Sequence, residues 1–231
     1  MTTDWLAFWD SPHLIYVNAR HKDVHYLLIA KEIAALVPCP QARVLDYGCG
    51  EALHADTVAA AAGELFLCEA APGVRDGLVD RFAGQRNIHV LAPHEAARLA
   101  EQSLDLVVLH SVVQYLTAAG AGGLFAVFHR LLKKGGMLVV SDIIPPNTSA
   151  VNDAFALLRF GARNGFFFAA AAGLIRTFLS SYWKLRSRLG LTRYSAAAMI
   201  EKLAAAGFDA ELAPANIGHN RARRAFYARR R

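Results

Sequence analysis

The chain has 231 residues, of which 55% are hydrophobic and 19% are charged, a composition that excludes a disordered or collagen-like protein and suits one domain with a large core. The net charge of +6 equals that of residues 147–194 alone, where seven basic residues stand against one acidic residue. Three cysteines at no zinc or disulfide spacing, and an N-terminus that lacks a basic and then apolar leader, predict a cytoplasmic protein.

Helix and strand signals alternate along the first two thirds of the chain. Residues 1–40 predict a helical cap that ends at Pro38 and Pro40. Short, continuously apolar strands are predicted at residues 43–47, 65–68, 88–91, 104–109 and 137–141. Helices are predicted at residues 55–62, 74–82, 93–100 and 121–132, and a turn at residues 133–136. This alternation predicts an α/β, Rossmann-like doubly wound fold with a mostly parallel sheet that is covered on both faces.

The alternation stops after residue 146. Residues 147–194 predict a helical, aromatic-rich insertion, whose uncharged run at residues 165–175 is too short to span a bilayer. A regular pattern then returns, with a helix at residues 195–206 that Ser195 caps and Gly207 ends. Two more short strands are predicted, around residues 210–212 and 225–228.

A glycine-rich turn follows the first predicted strand, in Asp46-Tyr47-Gly48-Cys49-Gly50. Parallel α/β sheets bind ligands at the carboxyl ends of their strands, and glycine lets the backbone approach a ligand closely. Glu69 ends the second strand, nineteen residues after Gly50, at the spacing at which a carboxylate binds two ribose hydroxyls. The nicotinamide fingerprint G-x-G-x-x-G requires a third glycine where this chain has Leu53, so that cofactor fits poorly.

Residues 44–50, Val-Leu-Asp-Tyr-Gly-Cys-Gly, resemble motif I of the class I S-adenosylmethionine (SAM)-dependent methyltransferases. Three further motifs of that family match in the correct order: Glu69 at the end of strand 2, residues 103–108 at strand 4 and residues 131–140 at strand 5. Ala52 stands where the family usually has a third glycine. The resemblance covers about residues 41–145. It implies a seven-stranded, mostly parallel sheet with an antiparallel last strand and a helical insertion between strands 5 and 6.

The resemblance also implies how one domain over residues 1–231 is divided. We expect a helical cap (1–40), a SAM-binding core (41–146), a helical substrate lid (147–194), and a C-terminal helix with two strands (195–231). The expected cofactor contacts are Tyr16, Arg20, Asp46, Gly48, Cys49, Gly50, Glu69, Ala70, Pro93, His94, His110 and Ser111. Pro93 and His94 stand where family members often place an aspartate near the adenine amine, so a backbone group is an alternative there. Arg20 suits the SAM carboxylate, and a solvated helix face is the alternative.

Methyl transfer from a sulfonium is an in-line displacement, and it needs a base only when the acceptor carries a proton with a high pKa. His110 follows strand 4, and His219 lies in the polar segment at residues 216–221 near the same edge of the sheet. Both are candidate bases, with structural hydrogen bonding as the alternative role. The nine histidines have no carboxylate partners at ligand spacing, so we expect no metal site.

The insertion is expected to line the acceptor pocket, because the ends of strands 5 and 6 lie at the ligand edge in this family. Its candidate lining residues are Phe155, Leu158, Phe160, Phe166, Phe167, Phe168, Leu174, Phe178, Leu179, Tyr182 and Trp183. Apolar rings beside arginines predict a small hydrophobic or amphipathic acceptor, either a metabolite or a lipid, and peripheral contact with an anionic membrane through residues 147–194. A helical hairpin packed on the domain, or a homodimer contact, is the alternative.

Two other functions stay open at this stage. The chain could be a non-catalytic SAM-binding partner or scaffold subunit, since fold does not guarantee activity. An RNA methyltransferase ranks lower, because residues 110–113 (His-Ser-Val-Val) replace the Asn/Asp-Pro-Pro-aromatic motif that base-modifying members often carry. Nucleic acid therefore ranks below a small molecule or lipid as a partner.

Overall fold

Seven strands form one mixed sheet in the computed structural model, which describes residues 3–11, 15–178 and 190–231. The strands are β1 (Arg43–Tyr47), β2 (Glu64–Cys68), β3 (Ile88–Leu91), β4 (Leu104–His110), β5 (Leu132–Ile143), β6 (Phe208–Leu212) and β7 (Arg224–Arg230). Their order is β3-β2-β1-β4-β5-β7-β6, and β1 to β5 pair in parallel. Strand β7 runs antiparallel to both β5 and β6. The predicted Rossmann-like sheet with an antiparallel last strand is therefore confirmed.

Helices cover both faces of this sheet. They are α1 (Thr3–Trp9), α2 (Ala19–Ala34), α3 (Ala55–Ala59), α4 (Pro72–Phe82), α5 (Pro93–Ala96), α6 (Ala118–Leu131), α7 (Ala150–Asn164), α8 (Phe167–Phe178) and α9 (Ala196–Ala205), with one 3₁₀ turn at Val113–Tyr115. Polar side chains begin several of them: Asn18, Thr117, Ser149 and Ser195 each accept a hydrogen bond from a backbone N–H in the first turn. Ser195 thus caps α9 as the sequence predicts.

The continuous apolar strands follow from burial on two faces. Along β4, Leu106 and Val108 belong to one apolar cluster, whereas Val107 and Leu109 belong to the other. Successive strand residues point to opposite faces, so both sets must be apolar when helices cover both sides. The first cluster is completed by α2, α3 and α4, and the second by α6 and α9.

The insertion begins with two helices, α7 and α8, that pack on α2 rather than on the sheet. Phe160, Phe166 and Ala170 form a small buried cluster of their own, against which Val24 and Leu28 of α2 pack. Because α2 also closes the carboxyl edge of the sheet, this packing brings α7 beside the cavity described below.

Several predicted element boundaries are wrong. The predicted turn at residues 133–136 is part of β5, because Leu132 pairs with Leu104 directly after α6 ends. An irregularity in the β4–β5 register between Leu104 and Leu106 accommodates this early start. Helices α3 and α5 end at Ala59 and Ala96, earlier than predicted. Leu179, Tyr182 and Trp183 lie outside the described residues, as does the side chain of Phe178. No helix in the described ranges is long and apolar enough to cross a bilayer.

Candidate active site

A cavity of about 440 Å³ opens at the carboxyl edge of the sheet, a volume typical of small-molecule sites. The ends of β1, β2, β4 and β5 form its floor. Helices α2 and α7, together with residues 217–223, close it from above. This position follows from the topology, since the ends of parallel strands meet at one edge and the strand order reverses beside β1.

The glycine turn after β1 is fixed between two side chains. Gly48 has φ +76°, and a Cβ at this position would lie 2.4 Å from Val112 Cγ2. Gly50 has φ +58°, and a Cβ there would lie 2.7 Å from Tyr26 Oη. Tyr26 Oη also accepts a hydrogen bond from Glu51 N at 3.1 Å. Both the backbone conformation and the lack of space therefore require glycine.

Glu69 is oriented by backbone donors on both carboxylate oxygens. Its Oε2 accepts from Gly50 N at 2.9 Å, and its Oε1 accepts from Ala71 N at 2.8 Å. The residue is 9% exposed and lines the cavity. A carboxylate has about four acceptor positions, so each oxygen retains one for a ligand hydroxyl. Two adjacent hydroxyls, as on a ribose, suit this arrangement.

Asp46 lines the same part of the cavity and makes no side-chain hydrogen bond to the described part of the chain. Burial, with a contribution from the nearby Glu69 carboxylate, raises the pKa of Asp46 to about 7. A carboxylate that is shielded from bulk water is costly to ionise unless a cation or a hydrogen-bond donor offsets the desolvation. The floor of the cavity is thus suited to a ligand that carries positive charge.

The ends of β4 and β5 meet in a polar network. Ser111 and Asp142 have φ of +59° and +61°, which is uncommon for residues other than glycine. Ser111 Oγ donates to Asp142 Oδ2 at 2.7 Å and accepts from Gln114 Nε2 at 3.1 Å. Asp142 N donates to Asn216 Oδ1 at 2.9 Å. Backbone strain of this kind often marks functional sites.

Four histidines surround the upper part of the cavity: His21 and His25 of α2, His110 at the end of β4, and His219. The ring centroids of His25 and His219 lie 5.7 Å apart, and those of His21 and His25 lie 6.1 Å apart. Burial lowers the pKa of all four, that of His21 to about 4, and repulsion between the histidines contributes at His21, His25 and His219. The four imidazoles are therefore neutral near pH 7.

Neutral imidazoles can accept protons, and two of these four have a ring nitrogen without a hydrogen-bond partner in the described part of the chain. His25 Nδ1 and His219 Nδ1 are buried and have no hydrogen-bond partner within the described ranges. The ring of His219 stacks on Phe160, with centroids 4.6 Å apart and an interplanar angle of 14°. His110 Nδ1 lies 2.9 Å from Ser141 Oγ, which orients its ring. Stacking and this hydrogen bond position rings whose polar atoms remain available to a ligand.

Charged side chains that were not singled out in the sequence analysis anchor the loop that carries His219. Glu32 accepts from Gly218 N at 2.5 Å and pairs with Arg221 at 3.1 Å. Asp153 pairs with Arg223 at 2.8 Å and links the loop to α7. Asp153 is the single acidic residue of the basic insertion, so the sequence did contain a signal for this ion pair.

The structure brings most of the predicted cofactor contacts to this cavity. Those on its lining are Tyr16, Asp46, Gly48, Cys49, Gly50, Glu69, Ala70, His110 and Ser111, and the second candidate base, His219, lines it too. Arg20, Pro93 and His94 do not lie on the lining. Arg20 donates from Nε to Asn164 O at the end of α7, and Pro93 lines a separate apolar cavity beside α6. The N–H of Ala92, a backbone donor beside Pro93, bonds to Glu95 Oε2 instead.

The predicted lining from the insertion is mostly wrong. Phe155 and Phe168 are 64% and 86% exposed, and they point away from the cavity. Leu174 does line it, and Phe160 contacts it through His219. On α7, the small residues Ala150 and Ala154 line the cavity as well. Among the described residues no group of three or more metal-ligand side chains occurs.

Residues 45–140 match the model of the methyltransferase domain family. A search of curated protein sequences found no significant match. A proposed SAM-dependent methyltransferase from Methanococcus maripaludis has the same fold, with a TM-score of 0.60 and 13% identity over 90% of this chain and 87% of that one. The proposed methyltransferase bound to the Haloferax volcanii Trm112 methyltransferase activator gives a TM-score of 0.57 and 15% identity, over 90% and 91%.

A third similar structure contains two bound small molecules. Phosphoethanolamine N-methyltransferase 1 of Haemonchus contortus, in complex with phosphoethanolamine and S-adenosylhomocysteine, gives a TM-score of 0.52 and 20% identity. The alignment covers 64% of this chain and 32% of that one. The motif string and the strand order agree with the family match, and residues 45–140 of this chain therefore form a methyltransferase domain with the Rossmann-like fold.

Proposed function

We propose that this chain is an enzyme that transfers a methyl group from SAM to a small amphipathic acceptor. The observation that carries the proposal is the continuity of one cavity, which joins the carboxylates of Asp46 and Glu69 to four neutral histidines. The carboxylates suit a cationic nucleoside cofactor, whereas the histidines suit a neutral group that loses a proton. The cofactor and the acceptor thus bind in adjacent halves of one cavity.

The cofactor half comprises the glycine turn, Asp46 and Glu69. Glu69 holds the ribose hydroxyls through its two remaining acceptor positions, because its other positions are taken by Gly50 N and Ala71 N. Asp46 faces the cationic methionine part, and that charge offsets the cost of burying its carboxylate. Tyr16 covers this half from the segment that precedes α2.

The acceptor half has polar and apolar walls. His25, His110 and His219 present ring nitrogens, and Ala154, Leu157 and Leu174 form an apolar side. Such walls bind a molecule with one polar reactive end and an apolar body. This favours a small hydrophobic metabolite or a lipid over a polyanion.

SAM supplies a methyl group on a sulfonium, which is already activated toward in-line displacement. The protein aligns the acceptor and excludes water, tasks that suit a cavity with apolar walls. His110 and His219 are neutral near pH 7, so either can take the proton of an acceptor hydroxyl or amine as the new bond forms. No metal is needed for such a step.

Two measurements test this proposal. Calorimetry with SAM and S-adenosylhomocysteine should give micromolar or tighter dissociation constants for the full chain. A labelled-methyl transfer screen against lipid and metabolite fractions should then yield a labelled small molecule. No cofactor binding would overturn the proposal, whereas binding without transfer in any fraction would favour a non-catalytic SAM-binding subunit. Label in an added RNA fraction, with none in the lipid and metabolite fractions, would favour an RNA methyltransferase.

A further inference from the structure

The outer surface of α7 and α8 is apolar. Within the described ranges, seven large hydrophobic side chains are exposed, and five of them lie on these two helices: Val151, Phe155, Phe167, Phe168 and Ile175. Three are more than two-thirds exposed, with Phe168 at 86%. The other two, Val79 and Leu212, lie singly on α4 and β6. Single exposed apolar residues are ordinary, but a cluster on adjoining helices marks an interaction surface.

The spacing of these residues defines an outer face on each helix. On α7, Val151, Phe155 and Arg159 follow one another at four-residue intervals and are all exposed. The opposite side of α7 holds the buried Phe160 and the half-buried Leu157, which pack toward α2. On α8, Ala170 is buried and Phe168 and Ile175 are exposed. Both helices therefore bury one side in the protein and expose the apolar other side.

The charge of this surface is positive. Arg159, Arg163 and Arg176 are exposed on the same two helices. The single acid of α7 and α8 is Asp153, which is half-buried and paired with Arg223. Exposed phenylalanine side chains bordered by exposed arginines, with no exposed acid on either helix, form the pattern by which amphipathic helices bind anionic lipid surfaces.

We propose that the outer face of α7 and α8 docks on an anionic membrane surface. Phe155, Phe168 and Ile175 enter the boundary between headgroups and acyl chains, while Arg159 and Arg163 contact lipid phosphates and carboxylates. Neither helix spans the bilayer. Since the inner side of α7 lines the cavity, docking places the acceptor half close to the membrane. The docking itself does not depend on methyl transfer.

Vesicle co-sedimentation tests the docking directly. The full chain is mixed with vesicles of phosphatidylcholine alone, or of phosphatidylcholine with about 30% phosphatidylserine, at low and at high salt. We expect binding to the phosphatidylserine vesicles at low salt and at least a fivefold weaker partition coefficient at high salt, because salt screens the attraction. No binding to phosphatidylserine vesicles at low salt would overturn the proposal.

Matched variants distinguish docking through this face from nonspecific adsorption to vesicles. The double variant F155S/F168S should reduce partitioning at least tenfold, whereas V79S/L212S, which removes exposed apolar side chains elsewhere, should leave it unchanged. The charge reversals R159E/R163E should reduce it about tenfold or more, and the control R86E/R98E should have less effect. Equal losses of vesicle partitioning in the α7 and α8 variants and in their controls would contradict the assignment.

Two further measurements distinguish other outcomes. Analytical ultracentrifugation should give the same mass for the wild type and F155S/F168S. A dimer that this variant dissociates would show that a second copy covers the face, and would overturn the proposal. Calorimetry of F155S/F168S with SAM should give the wild-type affinity, so a failure of docking is separable from a failure of the proposed function.

Discussion

The two halves of the cavity differ in what holds their polar groups. In the cofactor half, backbone donors fix both oxygens of Glu69, and the turn at Gly48 and Gly50 is confined between Val112 and Tyr26. In the acceptor half, His25 and His219 are positioned by ring contacts. Their Nδ1 atoms meet no hydrogen-bond partner in the described part of the chain. The cofactor half is preorganised by the backbone, whereas the acceptor half leaves polar atoms with which a ligand can form hydrogen bonds.

This difference predicts that SAM affinity depends strongly on the first half and weakly on the second. Calorimetric measurements of SAM affinity should therefore give four graded results, from the largest loss in the glycine turn to the smallest at His219.

Gly48→Ala should give the largest loss, about 100-fold or more. The added Cβ would meet Val112 Cγ2 at 2.4 Å with φ at +76°, and such overpacking costs about 1–3 kcal/mol before the backbone strain is counted. The control is Gly122→Ala in α6, where an added Cβ meets nothing within 4 Å and the affinity should be unchanged. A Gly48→Ala variant whose SAM affinity is within threefold of that of the wild type would show that the turn is not sterically confined.

Glu69→Gln should weaken SAM binding about 10- to 100-fold. The change removes the charge and replaces one acceptor oxygen by a donor, and hydrogen bonds to charged groups contribute about 1.5–3 kcal/mol. Glu64→Gln, at the other end of the same strand, is the matched control, because Glu64 pairs with Arg43 away from the cavity. Equal effects of the two substitutions would argue against a ribose contact at Glu69.

Lowering the pH from 7.0 to 5.5 should weaken SAM binding roughly tenfold. The pKa of Asp46 is raised to about 7, so the carboxyl is half ionised at pH 7 and almost wholly protonated at pH 5.5, when it no longer attracts a cation. Asp46→Asn should bind weakly at both pH values and remove most of this dependence. A wild-type affinity that is flat over this range would contradict the role of Asp46.

The unliganded protein gives an independent check on Asp46. A carboxyl whose folded pKa is raised binds its proton more tightly than the unfolded chain does, so its ionisation destabilises the fold as the pH rises from about 4 through 7. Without ligand, Asp46→Asn should therefore melt at a higher temperature than the wild type at pH 8. A lower melting temperature for this variant at pH 8 would argue that the carboxylate is satisfied within the protein.

His219→Asn should change SAM affinity less than twofold, the smallest effect of the four. Once an acceptor is found in the transfer screen, the same variant should lose about 100-fold in kcat, as expected for a general base. His129→Asn, far from the cavity on α6, is the control for both measurements. A large loss of SAM affinity in the His219 variant would show that the two halves are not separable.

Local sequence patterns were enough to predict most of the lining of the cofactor half. Strands β1 and β3 occur at the predicted residues, and Gly48, Gly50 and Glu69 line the cavity as expected. These features are local: a strand buried on both faces must be continuously apolar, and a tight turn beside a ligand needs glycines at fixed positions. Each such constraint acts on a few consecutive residues, so it is visible in the chain.

Beyond the candidate bases His110 and His219, the arrangement of the acceptor half depends on tertiary contacts that the sequence did not reveal. His25 of α2 meets His219 across almost the whole chain, and Glu32 anchors the loop after β6 through Gly218. The side of α7 that faces inward is set by its packing against α2. This packing turns Phe155 outward, although the aromatic composition of the insertion had predicted that Phe155 lines the pocket. Contacts between distant segments follow from how helices dock, and the composition of a single helix fixes its polarity but not its rotation.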